Sequence, residues 1–259
     1  MRQDLDVAEL RRKLAGRLVG AQVLHFDELA STMDEARRLA EHDAVEGTVV
    51  LAEQQTAGRG RFARPWSSER GQDVLLSLVL RPSVGQLPSV NMAATLAVCI
   101  GVAEITGLEA TIKWPNDVRI GGRKVAGILM ESAIEAGEPR FAVVGIGINV
   151  NLDTSRFAEI ASTATSLSHE TGSDVDRTAV LLGVLESLDN LYGAVRAGQK
   201  LTARWAARMD TIGRDVKVQW RSKLLEGRAD CVDDQGNLIL ARPDGSTVTV
   251  VAGEVTLQV

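Results

Sequence analysis

Aromatic residues are scarce in this sequence: four Phe, four Trp and one Tyr in 259 residues, 3% of the chain. Any core must rest on Val, Leu, Ile and Ala, so each aromatic position stands out. Cysteine is rarer still. Cys99 and Cys231 are too far apart for a CxxC knuckle, and with three histidines in the chain no structural zinc site is expected. Cysteine's usual burial predicts two buried free thiols in a reducing compartment. Six prolines exclude a proline-rich chain. There is no basic excess: the net charge of -5 argues against a protein that coats nucleic acid. There is no long hydrophobic run either. Met92 to Ala103, about twelve residues, is too short to span a bilayer. The charged start, Met1 to Leu14, lacks the apolar stretch of a signal peptide. These absences predict a soluble cytoplasmic protein with no membrane partner. The 45% hydrophobic and 24% charged content is that of an ordinary globular chain, long enough for one large domain or two unequal ones.

The chain divides in three. Residues 1–16 read as a short helix, too short for a helix-turn-helix domain. Residues 17–212 mix strands and helices without a regular βαβ rhythm, which favours an α+β fold. Strands are expected at Thr48 to Ala52, at Asp73 to Leu80 with alternating Val74, Leu76, Leu78 and Leu80, at Ala110 to Trp114, and at Phe141 to Val150. Val118 to Ile120 and Lys124 to Glu131 flank Gly121-Gly122, a hairpin signal. Helices are expected at Met33 to Glu41, at Pro88 to Ile105 and at Ala179 to Val195. Residues 213–259 carry short alternating runs (Val216, Val218, Trp220; Val255, Leu257, Val259) between turn clusters. They read as a small SH3-like β-barrel docked on the main body.

Five segments carry polar chemistry. Gln54 to Trp66 follows a strand and interleaves Gly58 and Gly60 with Arg59, Arg61 and Arg64. From Gly58 to Gly71 there are four arginines against one acid, a local excess that suits an anionic ligand such as phosphate. Such a loop repels itself when empty and is ordered by an anion; a solvated surface loop is the plain alternative. It is no Walker A loop. Lys113-Trp114-Pro115-Asn116-Asp117 is either a proline-set turn around a core Trp or a polar cluster facing a ligand. Lys124 opens the apolar strand Val125 to Met130, and is either exposed or a fixed cation beside reacting oxygens. Gly145-Ile146-Gly147-Ile148-Asn149 lacks the third glycine of a dinucleotide fingerprint and continues as strand, so its small residues suit a floor under a flat ligand, or a strand bulge. Thr32 with Glu35 reads as a capping box, with Ser31 and Thr32 also able to face a polar ligand from a helix start.

Taken in order, QTAGRGR at 55–61, KWPND at 113–117, KVAGIL at 124–129 and GIGIN at 145–149 resemble the biotin protein ligases, from about Leu24 to the C-terminus. The resemblance implies a catalytic domain like that of class II tRNA synthetases and lipoate ligases, with a mixed sheet, followed by an SH3-like domain. It implies ATP and biotin as substrates, Mg²⁺, and a lysine of a biotin carboxyl carrier protein domain as acceptor. By the same resemblance Ser31, Thr32 and Gln55 contact the biotin rings, and Gly127, Gly145 and Gly147 line its slot. Gly58, Arg59, Gly60, Arg61 and Arg64 form the loop over ligand and phosphate. Arg61 and Lys124 are the catalytic pair, Trp66 lies near adenine, and Asn116, Asp117 and Asn149 fix the adenylate. No metal ligands are implied. A homodimer is allowed; DNA binding is not expected without an added N-terminal domain. Two positions depart from the family's pattern: Met33 stands where Asn is frequent, and Ala63 where Gly is usual. If position 63 needs φ > 0, Ala costs on the order of 1 kcal/mol there. Two other readings compete. A lipoate–protein ligase shares fold and carrier lysine but not the Gly-Arg loop with KWPND. A non-catalytic RNA-binding module is disfavoured by the net charge and the few aromatics.

Overall fold

The structure, a computed structural model, describes residues 4–220, 222–251 and 253–257. Residues 1–3 of the expected N-terminal helix, and Val259 of the last alternating run, lie outside these.

A seven-stranded mixed sheet forms the main body. Its strands are β1 (Gln22–Phe26), β2 (Thr48–Ala52), β3 (Val74–Leu80), β4 (Thr111–Lys113), β5 (Asp117–Ile120), β6 (Arg123–Glu135) and β7 (Glu138–Ile148). They run in the order β1-β2-β3-β7-β6-β5-β4. β1 and β2 are parallel, joined by α2 (Thr32–Glu41), and the other pairings are antiparallel. The β5–β6 hairpin turns at Gly121 and Gly122, with φ of 56° and 80°. Positive φ at both central positions is the hairpin geometry that glycine favours. β1 escaped sequence reading because its one well-buried residue, Val23, leaves no alternation to see.

β2 and β3 are buried along their whole length. Their apolar runs are continuous because both faces of the sheet are covered. α2 covers one face, where Met33, Ala36 and Ala40 meet Val50, Val79, Phe141 and Val143. The other face lies under α3 (Leu87–Thr106) and α5 (Arg177–Arg196). α3 continues well beyond the twelve-residue apolar run, and by length and composition it would suffice to cross a membrane. Here it is apolar all round because it lies between the sheet and α5. The short helices are α1 (Val7–Lys13), capped by Asp6, α4 (Leu167–Thr171) and α6 (Thr202–Ala206).

The C-terminal sheet is five-stranded and antiparallel, in the order β11-β10-β9-β8-β12. It comprises β8 (Asp215–Trp220), β9 (Lys223–Val232), β10 (Leu238–Ala241), β11 (Thr247–Val250) and β12 (Glu254–Leu257). Val216, Val218, Leu238, Leu240 and Val255 join the main core. The turn between β9 and β10 is gripped directly: Trp114 Nε1 donates to the Gly236 carbonyl at 2.8 Å, and Gly236 lies against Met92 and Trp205. The α+β class is as expected. One thiol is not. Cys99 is buried in α3, where burial pushes it up to about 12, but Cys231 is exposed. A shift in the β9–β10 register opposes Cys231 to Ile239 and Ala229 to Leu240, so Asp230 is extra and Cys231 is turned outward.

α3 and α5 touch through their backbones. A Cβ on Gly101 would lie 2.6 Å from the Val184 nitrogen, while a Cβ on Gly193, further along α5, would meet nothing within 4 Å. Gly101→Ala should therefore destabilise by ~1–3 kcal/mol through overpacking, and Gly193→Ala should stabilise by up to ~1 kcal/mol through helix propensity. Thermal unfolding of the two variants checks the opposite signs; a shared sign would refute the close approach.

Candidate active site

A cavity of about 1020 Å³ opens where α2, β6, β7, the loop after β2, the β4–β5 turn and the start of β12 meet. Its floor is a patch of sheet without side chains. Gly127 of β6 pairs directly with Gly147 of β7, and Gly145 is paired with Leu129 on one side and Ser77 on the other. The glycines are required by what lies on them. A Cβ on Gly147 would sit 2.6 Å from Trp66 Cε2, one on Gly127 3.0 Å from Trp66 Cζ3, and one on Gly145 2.6 Å from Met33 Sδ. A flat ligand at this end thus meets an indole and a thioether rather than bare backbone.

The polar end of the cavity is built on α2. Gln55 Oε1 accepts from the Thr32 nitrogen at 2.7 Å and from Thr32 Oγ1 at 3.1 Å, and Thr32 Oγ1 shares a 2.8 Å hydrogen bond with Ser77 Oγ. This corrects the expected capping box. Ser31, not Thr32, is the N-cap, and its side chain makes no cap bond. Thr32 is instead turned into the sheet, and Glu35 pairs with Arg38. The helix start is satisfied by a side chain from the β2 loop, a partner that local spacing does not reveal. Ser31 Oγ and Trp66 Nε1 are buried without a hydrogen-bond partner, two polar atoms free for a ligand.

The Gly-Arg loop is closed on itself: Trp66 nitrogen donates to the Gly58 carbonyl and Gly60 nitrogen to the Arg64 carbonyl. Its arginines do not face one another unpaired, as the sequence led us to expect. Arg59 reaches Asp34 at 2.6 Å and Glu131 at 3.7 Å, Arg61 donates to Asn116 Oδ1 at 3.1 Å, and Arg64 makes a bidentate pair with Glu254 of β12. Pairing with Asp34 and with Glu254 raises the pKa of Arg59 and Arg64, while burial lowers that of Arg61. Opposite this loop, Lys124 Nζ lies 2.6 Å from Asp117 and 5.4 Å from the Trp66 ring centroid. Asn116 Nδ2 is tied to the Ile128 carbonyl, and Asn149 Nδ2 to the Thr165 carbonyl at 3.0 Å.

The cavity wall thus gathers Ser31, Thr32, Gln55, Arg59, Gly60, Arg61, Arg64, Trp66, Asn116, Asp117, Lys124, Gly127, Gly145, Gly147 and Asn149 from segments far apart in the chain. Gly58 is not on the wall. It closes the loop instead, packed against Gln55 and Trp66. Sequence reasoning missed the wall formed by residues 157–164, which has no compositional signal. It gave no role to Phe62 and Lys113, which lie inside segments it singled out, and it missed Glu254.

Comparison with known proteins agrees with this geometry. The biotin/lipoate A/B protein ligase family matches residues 26–149, and the biotin protein ligase C-terminal domain matches residues 211–257. The biotin–[acetyl-CoA-carboxylase] ligase of Mycobacterium tuberculosis is 36% identical over 269 residues, covering 98% of this chain and 96% of that protein. The chain belongs to the biotin protein ligase family. The bifunctional ligase/repressor BirA of Bacillus subtilis is also 36% identical, over 93% of this chain and 76% of its own length. The biotin protein ligase of Aquifex aeolicus, solved in complex with biotin and ATP, superposes with a TM-score of 0.77 at 30% identity, over 92% of this ligase and 98% of that chain.

Phe62 and Ala63 of the ligase loop have φ of 57° and 56°, the left-handed region that disfavours residues with a Cβ. Ala63→Gly should relieve ~1 kcal/mol of that strain and favour the closed loop. Trypsin cleavage after Arg59 and Arg61 in the ligand-free protein should slow relative to the parent. Faster cleavage would show that the loop spends its time in another conformation.

Proposed function

We propose that this chain activates biotin with ATP as biotinyl-5′-adenylate and transfers biotin to a lysine of a biotin carboxyl carrier protein domain. The observation that carries the reading is one cavity with two unlike ends. A hydroxyl-and-amide end beside the Trp66 indole and the Met33 thioether suits a compact polar ring system on an apolar chain, and a cationic end suits phosphate. The relatives at 36% identity are biotin ligases, which favours biotin over lipoate.

In the first step a biotin carboxylate oxygen attacks the α-phosphorus of ATP. The bond from that phosphorus to the bridging oxygen breaks, its electron pair leaves on pyrophosphate, and the mixed anhydride remains. No protein base is needed, because the carboxylate is already ionised at neutral pH. The barrier is electrostatic: two anions must approach, and charge spreads over the phosphoryl oxygens. Lys124 and Arg61 are the cations at the junction of the two ends. Asp117 holds the Lys124 amine in place, and Asn116 holds the Arg61 guanidinium. Ser31, Thr32 and Gln55 take the rings, and Arg64, Asn116 and Asn149 serve the adenylate side. Trp66 walls the cavity between the two ends, beside Lys124. In the second step the carrier amine, having lost a proton, attacks the anhydride carbonyl and adenylate leaves as AMP.

Mg²⁺ belongs to this reading as a companion of the ATP phosphates. Among the described residues no three His, Cys, Asp or Glu side chains converge into a cation cage, and the carboxylates nearest the cationic end, Asp117 and Glu254, are held by Lys124 and Arg64. No step is therefore assigned to a protein-held ion.

Incubation with biotin, ATP, Mg²⁺ and purified carrier domain tests the reading. Mass spectrometry should show one biotinyl group on the carrier; no transfer, or lipoyl transfer instead, would refute it. Lys124→Gln should slow pyrophosphate release by roughly 10²–10³, the scale of losing one preorganised donor, while biotin affinity without ATP falls less. Near-parental release would return Lys124 to a structural role.

A further inference from the structure

Lys113 is a cation of the cavity wall that the reading above does not use. Alternation along β4 buries Ile112 in the core and turns Thr111 and Lys113 to the opposite face, where Lys113 lines the cavity. On the neighbouring β5, Val118 and Ile120 are buried, and Asp117 and Arg119 share the face of Lys113. Lys113 and Asp117 are direct cross-strand partners, the arrangement in which opposite charges normally pair. They do not. The Asp117 carboxylate closes on Lys124 at 2.6 Å.

The other wall cations are engaged as well. Arg59 is held by Asp34, Arg61 by Asn116, Arg64 by Glu254, and Arg119 by Asp210 at 3.1 Å. Among the described residues Lys113 alone of these wall cations has neither an ion pair nor a hydrogen bond from its side chain. It is also half-buried, and burial lowers its pKa, only partly offset by Asp117 and Glu254. A partly desolvated ammonium without a partner is unfavourable unless a ligand supplies the counter-charge.

Its position says which ligand. Lys113 stands at the cationic end, on the strand pair that carries Asp117 and near Glu254 of the C-terminal sheet. In the function proposed above, biotin and the α-phosphate are served by Arg61 and Lys124. We infer that Lys113 binds the β- and γ-phosphates of ATP and carries the charge of the departing pyrophosphate. This rests on the adenylating function proposed above. When the α-phosphorus bond to the bridging oxygen breaks, the new negative charge falls on the β-phosphate. An ammonium fixed there stabilises that charge without any proton transfer. Glu254 acts in the opposite sense: with pyrophosphate gone, it and Asp117 remain to screen Lys113 until the next ATP arrives.

The test compares Lys113→Met and Lys113→Arg with the parent chain. Readouts are the KM for ATP, the inhibition constant of added pyrophosphate, and the affinity for a non-hydrolysable biotinyl-adenylate analogue, which has no β- or γ-phosphate. In Lys113→Met both the KM and the pyrophosphate constant should rise ~10–100-fold, the scale of losing one charge-assisted hydrogen bond. Analogue affinity should stay close to parental, and Lys113→Arg should recover most of the loss. Unchanged ATP and pyrophosphate constants would overturn the inference, as would equal weakening of the analogue in both variants. A defect confined to transfer from preformed adenylate, with a shifted pH profile, would make Lys113 the proton acceptor for the carrier amine instead. If the parent chain forms no adenylate at all, it is the proposed function that fails, not the placement of Lys113.

Discussion

Close approach at three glycines is the constraint on which the site depends. Gly127, Gly145 and Gly147 lie side by side on β6 and β7, and any side chain there would occupy the space of the Trp66 indole or the Met33 thioether. Trp66 ends the Gly-Arg loop, so its seat on the floor fixes where that loop closes. Met33 belongs to the first turn of α2, so its seat fixes the helix start that presents Ser31 and Thr32. One sterically bare patch of sheet thus sets the positions of both the cationic loop and the hydroxyl cluster. The hydrogen bonds of Thr32 to Gln55 and Ser77 then lock what packing has placed.

The second determinant is the distribution of counter-charges. A loop with several arginines is unfavourable alone, yet each arginine finds a partner on a different element: α2, the β4–β5 turn and β12. The C-terminal sheet therefore does more than extend the core. Glu254 holds one side of the loop, and Trp114 of the same motif that supplies Asn116 and Asp117 is hydrogen-bonded to Gly236. Moving the C-terminal sheet would shift both the loop anchor and the strand turn bearing the adenylate-side groups. The exposed pairs in this network are individually weak in water. They act by fixing geometry, which is what a preorganised phosphate site requires.

Much of this was legible from local pattern. The β5–β6 hairpin follows from two adjacent glycines because only they take positive φ cheaply. The long helices and buried strands follow from apolar periodicity, and the cationic loop from its composition. Reading failed where the deciding partner is distant. Thr32 and Glu35 have capping-box spacing, but Gln55 and Ser77 claim the Thr32 hydroxyl. Cys231 was expected to be buried like most free cysteines, but a register shift with β10 turns it outward. β1, with little alternation of its own, is a strand because β2 pairs with it.

By itself the sequence determined which chemical groups are present, the long helices and the buried strands, and through four ordered motifs the family to which the chain belongs. Those properties depend on the identity of near neighbours along the chain. The tertiary structure alone decided the pairings: Asp117 with Lys124 rather than its cross-strand neighbour Lys113, Arg64 with Glu254, and Trp66 on glycines of two strands. Electrostatic and steric energies fall off over a few ångströms. Which charge is satisfied and which is left for a ligand is therefore set by the register and packing that bring distant residues to that range.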